Sequence, residues 1–507
     1  MQEVPTSQLL QHLPDRRLIS QLNSFACARG VSLYLVGGCV RDLLLKRPVN
    51  DLDFALEGDA LSFARDFAAV LGAAFVPLEE QLPTARVVIR KSDFALDFAQ
   101  FRGGALEDDL RLRDLTINAI GIALASLAAQ PLVQLVDPCN GLSDLRSGQL
   151  CFPSERVILD DPLRLLRVYR FAAQLNFTIP DETVHLISRH RKLLNQVEST
   201  DAPRAAVASE RVRDELIKIL DTAHAAECLR QMDEIGILPK ILPEIESKRG
   251  VRHDDNHLDL WEQSLLSLEM FEEQSAPATL ASYQREIEDY LDTNLVAGLK
   301  RETVLKLALI LLNIKKPVAK EVDSRGKVPS DNDENVGIEI ALHIVKRLRL
   351  GGKAAKLMGC LLRHHSHVRE MLKTASSRDQ VNRLLKAAGQ DWLGVLLVSY
   401  AGLRVSRRNL RTPPEASPAE RVMREIADRY FLEILPMMAR ERLITGDEIM
   451  DGLNLKPGPL IGEILEQVEA LQFDRKIHTP EEALAAARRV LETSNQGGKL
   501  KNITDNR

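Results

Sequence analysis

Apolar positions follow two rhythms along this chain. Up to about residue 150 they gather in short runs, and 31–36, 52–56, 73–77, 85–90, 93–100 and 132–136 each read as a strand bounded by turn residues. Helical spacing breaks in over 1–30, 38–45, 59–71 and 115–124, the last expected as a helix behind the sheet. Many short strands with two helices packed on one side predict a small α+β sheet domain. Beyond it the spacing is helical nearly throughout: 160–175, 183–195, 202–220, 223–235 and 258–271 place apolar residues three and four apart. Residues 272–300 are acidic and expected to be irregular, 316–335 and 404–418 read as polar connections, and the tail 493–507 reads as disordered. The domain reading is a sheet domain over 1–150, then helical segments over 151–245, 246–415 and 416–492. A chain of 507 residues exceeds what one core can hold, which agrees with several units.

Composition narrows the classes. The 45% hydrophobic and 27% charged fractions are those of a soluble globular protein. Net charge is −5, so there is no global positive field, and a nucleic-acid partner has to be met by a local basic patch. Cys27, Cys39, Cys139, Cys151, Cys228 and Cys360 contain no Cys-x-x-Cys pair. That argues against a zinc site or a disulfide framework and fits a reducing cytoplasm. Asp15, Arg16 and Arg17 interrupt the N-terminal apolar residues, and no apolar run approaches about 18 residues, so neither export nor membrane spanning is expected.

Candidate chemistry begins at Gly37-Gly38, which ends the 31–36 strand and opens a short helix. Glycines at such a turn let the backbone approach an anion closely. Asp51 and Asp53 then sit two apart on a strand, so both carboxylates share one face. Oxygen ligands of this kind suit Mg²⁺ holding a substrate's phosphates; the alternative is a solvated turn with an ordinary exposed Asp53. Asp97 is either a third acid on that face or an edge residue facing water. Arg113-Asp114 is either a surface ion pair or a grip on sugar and phosphate. Further on, Asp160 is expected to cap a helix that carries Asp161, Arg164, Arg167 and Arg170 along one slowly turning ridge. Three arginines so spaced repel one another, which makes sense with an anion or a base against them; the alternative is a capped helix whose aspartates neutralise them. His253 and His257, among acids, form the only histidine cluster with a metal-ligand look, and the alternative, a polar helix N-terminus, is the reading preferred for it.

Taken together, Gly37-Gly38-x-x-Arg41-Asp42, Asp51-x-Asp53, Arg113-Asp114-x-Thr-Ile-Asn-Ala and Asp160-Asp161-x-x-Arg164-x-x-Arg167 resemble class II tRNA nucleotidyltransferases and bacterial poly(A) polymerases. The stretch from Leu443 to Gly462 looks like the end of the same family. The resemblance implies a polymerase-β-like nucleotidyltransferase head followed by an all-α neck, body and tail. It also implies template-independent addition of C and A, from CTP and ATP, to the tRNA 3′ end. Carried over, Asp51 and Asp53 would bind Mg²⁺, Gly38 and Arg41 the triphosphate, and Arg113 with Asp114 the ribose and phosphates. Asp161 and Arg164 would read the base edge, and Arg167 and Arg170 would support the pocket or hold phosphate.

Three departures from the family pattern bear on the outcome. Leu112 and Asp160 replace an arginine and a glutamate. Only about ten residues separate Arg102 from Arg113, where many members that add all three nucleotides carry a longer loop, so this chain resembles the enzymes that add only cytidines. Where relatives with an HD phosphohydrolase module have Leu-His-Asp-Ile-Gly-Lys-Pro, the chain reads Leu311-Leu-Asn313-Ile-Lys-Lys-Pro317, so an HD-like body without hydrolase chemistry is expected. The alternatives are a poly(A) polymerase, an HD-type phosphohydrolase and a non-catalytic RNA-binding protein. Basic residues that could track RNA are Lys346, Arg347, Arg349, Lys353, Lys356, Arg363, Arg404, Arg407, Arg408 and Arg411. Oligomeric state is not legible in the sequence.

Overall fold

The computed structural model describes residues 3–13, 15–49, 51–79, 83–89, 94–194, 207–252, 258–296, 298–314, 333–374, 376–407, 417–438, 443–473 and 476–504. The strands are β1 (Glu3–Pro5), β2 (Leu33–Val36), β3 (Asp51–Leu56), β4 (Ala74–Glu79), β5 (Thr84–Val88), β6 (Ala95–Gln100), β7 (Gly121–Ala123) and β8 (Leu132–Val136). They form one sheet in the order β1-β8-β7-β2-β3-β6-β5-β4. All neighbours are antiparallel except β3 and β6, which run parallel with Asp53 beside Asp97.

Strand alternation divides the two faces. Leu52, Phe54 and Leu56 point to one side, where Phe54 stacks on Phe98 at 5.4 Å and Phe63 of the Ala60–Leu71 helix meets Phe98 at 5.5 Å. Phe25 of the Arg16–Ala28 helix closes that layer against Phe63 and Phe67. These are the two helices expected on one side of the sheet. Asp15 and Asp59 cap them by accepting backbone N–H bonds, which satisfies donors that the first helical turn leaves unpaired. The opposite face carries Asp51 and Asp53. It is covered only in part, by Leu106 and Leu110 packed on Val36, Ala55 and Ala119.

Several expectations are corrected. Residues 115–124 are not a helix: Thr116–Asn118 is one 3₁₀ turn, and Gly121–Ala123 inserts as β7 between β2 and β8. Thr116, Ile117, Ile120 and Ile122 are β-branched, and a side chain at Gly121 would press on Leu106 at 3.2 Å, so a thin strand fits where a helix would not. The N-terminus is not helical from its start, because Glu3–Pro5 pairs along β8; Pro5 is tolerated there since β1 is an edge strand. Asp160 ends the short helix Arg156–Asp160 instead of capping the next one, and Asp161 is extended before the helix Arg164–Leu175. Within 272–300 lie a helix, Gln284–Asp292, and a hairpin of Asn294–Val296 with Leu299–Lys300. The last helix, Pro480–Thr504, runs into the tail expected to be disordered, since no proline stops its propagation.

The chain forms two compact units, and the boundaries expected at 150 and 245 both fall inside the first: 1–275, 288–366 and 397–410. Its helical part buries Lys248, whose Nζ donates to the Ile310 carbonyl at 2.7 Å and to Ser264 Oγ beside the helices Leu260–Glu273 and Arg301–Leu311. The second unit, 276–287, 367–396 and 411–507, has Trp392 against Tyr430 at 4.7 Å. It also has a separate cluster of Ile449, Ile464, Val468, Ala483 and Ala487. Among the described residues no helix is long and apolar enough to cross a membrane. The histidine cluster 253–257, the residues 315–332 that include Lys315 to Pro317, and Arg408 and Arg411 lie outside the described residues.

Candidate active site

The β2 strand turns at Gly37, whose φ of +79° is open to glycine and strained for any other residue. A Cβ there would stand 2.8 Å from an Arg113 guanidinium nitrogen and 3.3 Å from Asp53 Oδ2. The turn is therefore the floor of a corner where Arg113 and Asp53 meet. Asp51, exposed, and Asp53, partly buried, share the face of β3 that looks into this corner, as strand alternation requires. Asp97 lies alongside on β6, so the first of its two sequence alternatives holds. Arg86 of β5 clamps it through Nε and a terminal nitrogen at 2.8 and 2.7 Å. Burial pushes the Asp53 carboxyl up to about 6; Arg113 pulls it down, while Asp97 and Asp51 add to the rise.

From this corner a polar chain runs to the helix Arg164–Leu175. Arg41, buried, pairs with Asp42 at 2.9 and 2.8 Å and donates to Asn118 Oδ1 at 2.9 Å. Its guanidinium also lies 3.5 Å from where a Gly38 Cβ would stand. Asn118 in turn donates to Asp114 Oδ1 at 3.0 Å, and Asp114 Oδ2 forms an ion pair with Arg167 at 2.8 Å. Two charge partners and two hydrogen bonds outweigh burial and hold the Asp114 carboxyl below its usual range. Arg167 Nε is buried with no hydrogen-bond partner of its own, while the Arg167 side chain stays partly exposed.

The remaining candidates sit along the same helix. Arg164 donates to the Val157 carbonyl at 3.0 Å, and Asp114 and Asp161 are close enough to act on its charge. Asp161 accepts from Leu163 N at 3.2 Å and from Arg211 at 2.7 Å. Arg170 is committed to its own partners: it pairs with Glu215 at 2.6 Å and lies over the Phe171 ring at 4.1 Å, while Arg167 and Asp114 are close enough to act on its charge. The structure thus brings Asp51, Asp53, Gly38, Arg41, Arg113, Asp114, Arg167, Arg164 and Asp161 into one connected region, at whose margin Arg170 is paired with Glu215 of the Ser209–Leu220 helix. Sequence reasoning missed Asn118, Arg211, Glu215 and, above all, Asp109, which takes both Arg102 and Arg113. The four-residue spacing of Asp109 and Arg113 within a helical turn was the available signal.

The poly A polymerase head domain family matches residues 33–151, the segment that holds the corner. A CC-adding tRNA nucleotidyltransferase of Geobacter sulfurreducens is 30% identical over 482 residues, spanning 92% of this chain and 96% of that protein. The chain belongs to the tRNA nucleotidyltransferase and poly(A) polymerase family. A second family, described as a probable RNA and SrmB-binding site of polymerase A, matches residues 202–249. An A-adding tRNA nucleotidyltransferase of Deinococcus radiodurans is 29% identical, over 90% of this chain and 95% of that one. Among solved structures, a Thermotoga maritima CCA-adding enzyme complexed with tRNA is 20% identical with a TM-score of 0.61, covering 97% of this chain and all of that one. A CCA-adding enzyme complexed with ATP gives a TM-score of 0.63 at 21% identity, with the same coverage of both chains. Family fold thus extends from the sheet domain through the helical remainder, as the resemblance implied.

Proposed function

We propose that this protein adds nucleotides to the 3′ end of tRNA, joining cytidine from CTP to the acceptor terminus. The observation that carries the reading is the corner itself: Asp51 and Asp53 on one strand face, beside a glycine turn on which Arg113 closes. The donor set fits Mg²⁺. Asp53 ionises against burial and two neighbouring carboxylates; Arg113 offsets this in part but is shared with Asp109, and Arg86 is committed to Asp97, so a hard cation with oxygen ligands is the natural further counter-charge. Asp51 and Asp53 would hold it; when bound, magnesium supplies charge for the phosphates and lowers the pKa of the attacking hydroxyl. Arg113 offers a guanidinium to the phosphates. Asp114, through Asn118 and Arg41, fixes the turn against Arg167, whose partly exposed guanidinium is left to meet ribose or phosphate.

Asp161 and Arg164 carry the base edge in this reading. A carboxylate accepts from the exocyclic amine of C or A, and a guanidinium donates to ring nitrogen or carbonyl oxygen, whereas U and G present the opposite pattern. Arg211 holds the Asp161 carboxylate in place. The 3′-hydroxyl loses its proton to solvent as its oxygen bonds to the α-phosphorus, the bond from that phosphorus to the α,β-bridging oxygen breaks, and pyrophosphate departs with that electron pair. The relatives include CC-adding and A-adding enzymes alike, so overall similarity does not choose between them. The short segment from Arg102 to Arg113 favours CC addition. A cytoplasmic setting suits the six free cysteines.

The deciding assay offers CTP or ATP, with Mg²⁺, to tRNAs ending in the discriminator base, in C, or in CC. Two cytidines and no adenosine are expected. Long adenosine tails on generic RNA would replace this reading with a poly(A) polymerase, and no extension of any RNA would remove the transferase assignment.

A further inference from the structure

One buried carboxylate ties together the whole segment between Arg102 and Arg113. Asp109 is 3% exposed, and both its oxygens are engaged. Oδ1 accepts from the Arg102 backbone N–H at 3.2 Å and from Arg102 Nε at 2.9 Å; Oδ2 accepts from Arg113 Nε at 3.2 Å and from its terminal nitrogen at 3.0 Å. Arg102 spends its other nitrogens on the Leu112 and Asp109 carbonyls, each at 3.3 Å, and so straps the segment shut. At Gly103, φ +147°, a Cβ would strike the Asp108 Cβ at 2.7 Å, so the turn is packed on itself. The Leu106–Arg111 helix that carries Asp109 is anchored by Leu106 and Leu110 in the apolar cluster of the sheet.

We propose that Asp109 is a positioning residue for nucleotide selection: it fixes Arg113 over the Gly37 turn and makes residues 102–113 one rigid wall of the nucleotide site. The inference rests on the nucleotidyl-transfer reading above. By taking Nε and one terminal nitrogen of Arg113, Asp109 leaves the other terminal nitrogen aimed at the corner beside Asp53. Arg102 stands close enough to Arg164 for their like charges to act on each other, so the same carboxylate spans the phosphate side and the base side. Two guanidiniums on one carboxylate leave one surplus positive charge for an anionic ligand. A wall closed by this many hydrogen bonds has few alternative arrangements, and a pocket held in one arrangement favours one base. Released from Asp109, Arg113 is free to swing onto Asp53, and Arg102 to leave its place beside Arg164.

Nucleotide kinetics of Asp109→Asn and Asp109→Glu test this, alongside Arg102→Lys, which keeps the charge and the fold but loses the strap. For Asp109→Asn, KM for CTP should rise at least tenfold with a smaller fall in kcat, and the preference for CTP over ATP and UTP should drop about tenfold. Asp109→Glu should recover part of both, and Arg102→Lys should show the selectivity loss in milder form. A folded Asp109→Asn protein with wild-type KM and preference, changed only in melting temperature, would overturn the proposal, as would unaltered selectivity in Arg102→Lys should Asp109→Asn not fold. Titration with CTP alone separates the two readings. A wild type that binds CTP but extends no tRNA defeats the transferase reading, while weaker CTP binding in Asp109→Asn still supports the wall. A wild type that binds no CTP defeats both.

Discussion

Asp53 is a residue whose charge the fold disfavours. Its folded carboxyl keeps a proton up to about 6 while an ordinary aspartate releases it near 3.8, so folded protein binds more protons between those values than unfolded chain does. Stability from this group is therefore complete below 3.8 and is lost as pH rises through about 6, on the order of 3 kcal/mol. Asp53→Asn should accordingly unfold at higher temperature than wild type at neutral pH without Mg²⁺, while nucleotide incorporation falls below detection and tRNA binding persists. Equal melting temperatures with and without the substitution would show that the carboxylate carries no such penalty. This pair of acids was legible in the sequence, because alternation alone puts Asp51 and Asp53 on one face. Asp109 was marked only by its four-residue spacing from Arg113; that it, rather than Glu107 or Asp108, turns inward depends on the packing of Leu106 and Leu110 on the sheet.

At the scale of elements, the strands with clear turn residues were readable almost to the residue, as was the helix Ala60–Leu71, whereas the helix expected over 202–220 begins only at Ser209 and keeps its expected end at Leu220. Residues 115–124 were misread because helical spacing and a β-branched run coincide there, and long-range pairing with β2 and β8 settled the choice. The Gly37 turn gives an element-level prediction. Gly37→Ala meets both a left-handed φ and the Arg113 guanidinium, so incorporation should fall about 10²-fold with little loss of folded protein; near-normal kinetics would mean the corner is not where nucleotide sits. In the helical part, burial lowers Lys248 to about 7, offset only by Asp259. Between about 7 and its ordinary 10.5 the unfolded chain holds a proton that the folded one has released, so stability rises with pH across that window. A thermal-denaturation series should show this rise in wild type and its loss in Lys248→Met.

For the whole molecule, the question is where a protein of net charge −5 meets a polyanion. The basic residues singled out in the sequence fall into different groups. Arg347 pairs with Glu244, Arg349 with Glu210, and Arg404 with Glu273 and the Met270 carbonyl, so these three hold the helical part together. Lys346, Lys353, Lys356 and Arg363 are exposed, and Lys353, Lys356 and Arg363 lie three, then seven residues apart on one side of the Gly352–Lys373 helix. That side runs about 15 Å at 1.5 Å per residue, enough to follow a few phosphates of one strand. Reversing Lys353, Lys356 and Arg363 to glutamate should weaken tRNA binding and lower the salt slope by about one for each phosphate that is no longer neutralised. An unchanged slope would move the RNA track elsewhere.

Phe171, on the Arg164–Leu175 helix, has Arg170 4.1 Å and Arg41 4.9 Å from the centre of its ring, and Arg41 belongs to the helix that follows the Gly37 turn. The Asp114–Arg167 pair crosses the same seam. A graft that joins residues 1–150 of this chain to the following segment of a relative parts Arg41 from Phe171 and Arg170 even if every motif residue is kept, and should work only when the incoming segment again sets an aromatic ring against Arg41 and an arginine against Asp114.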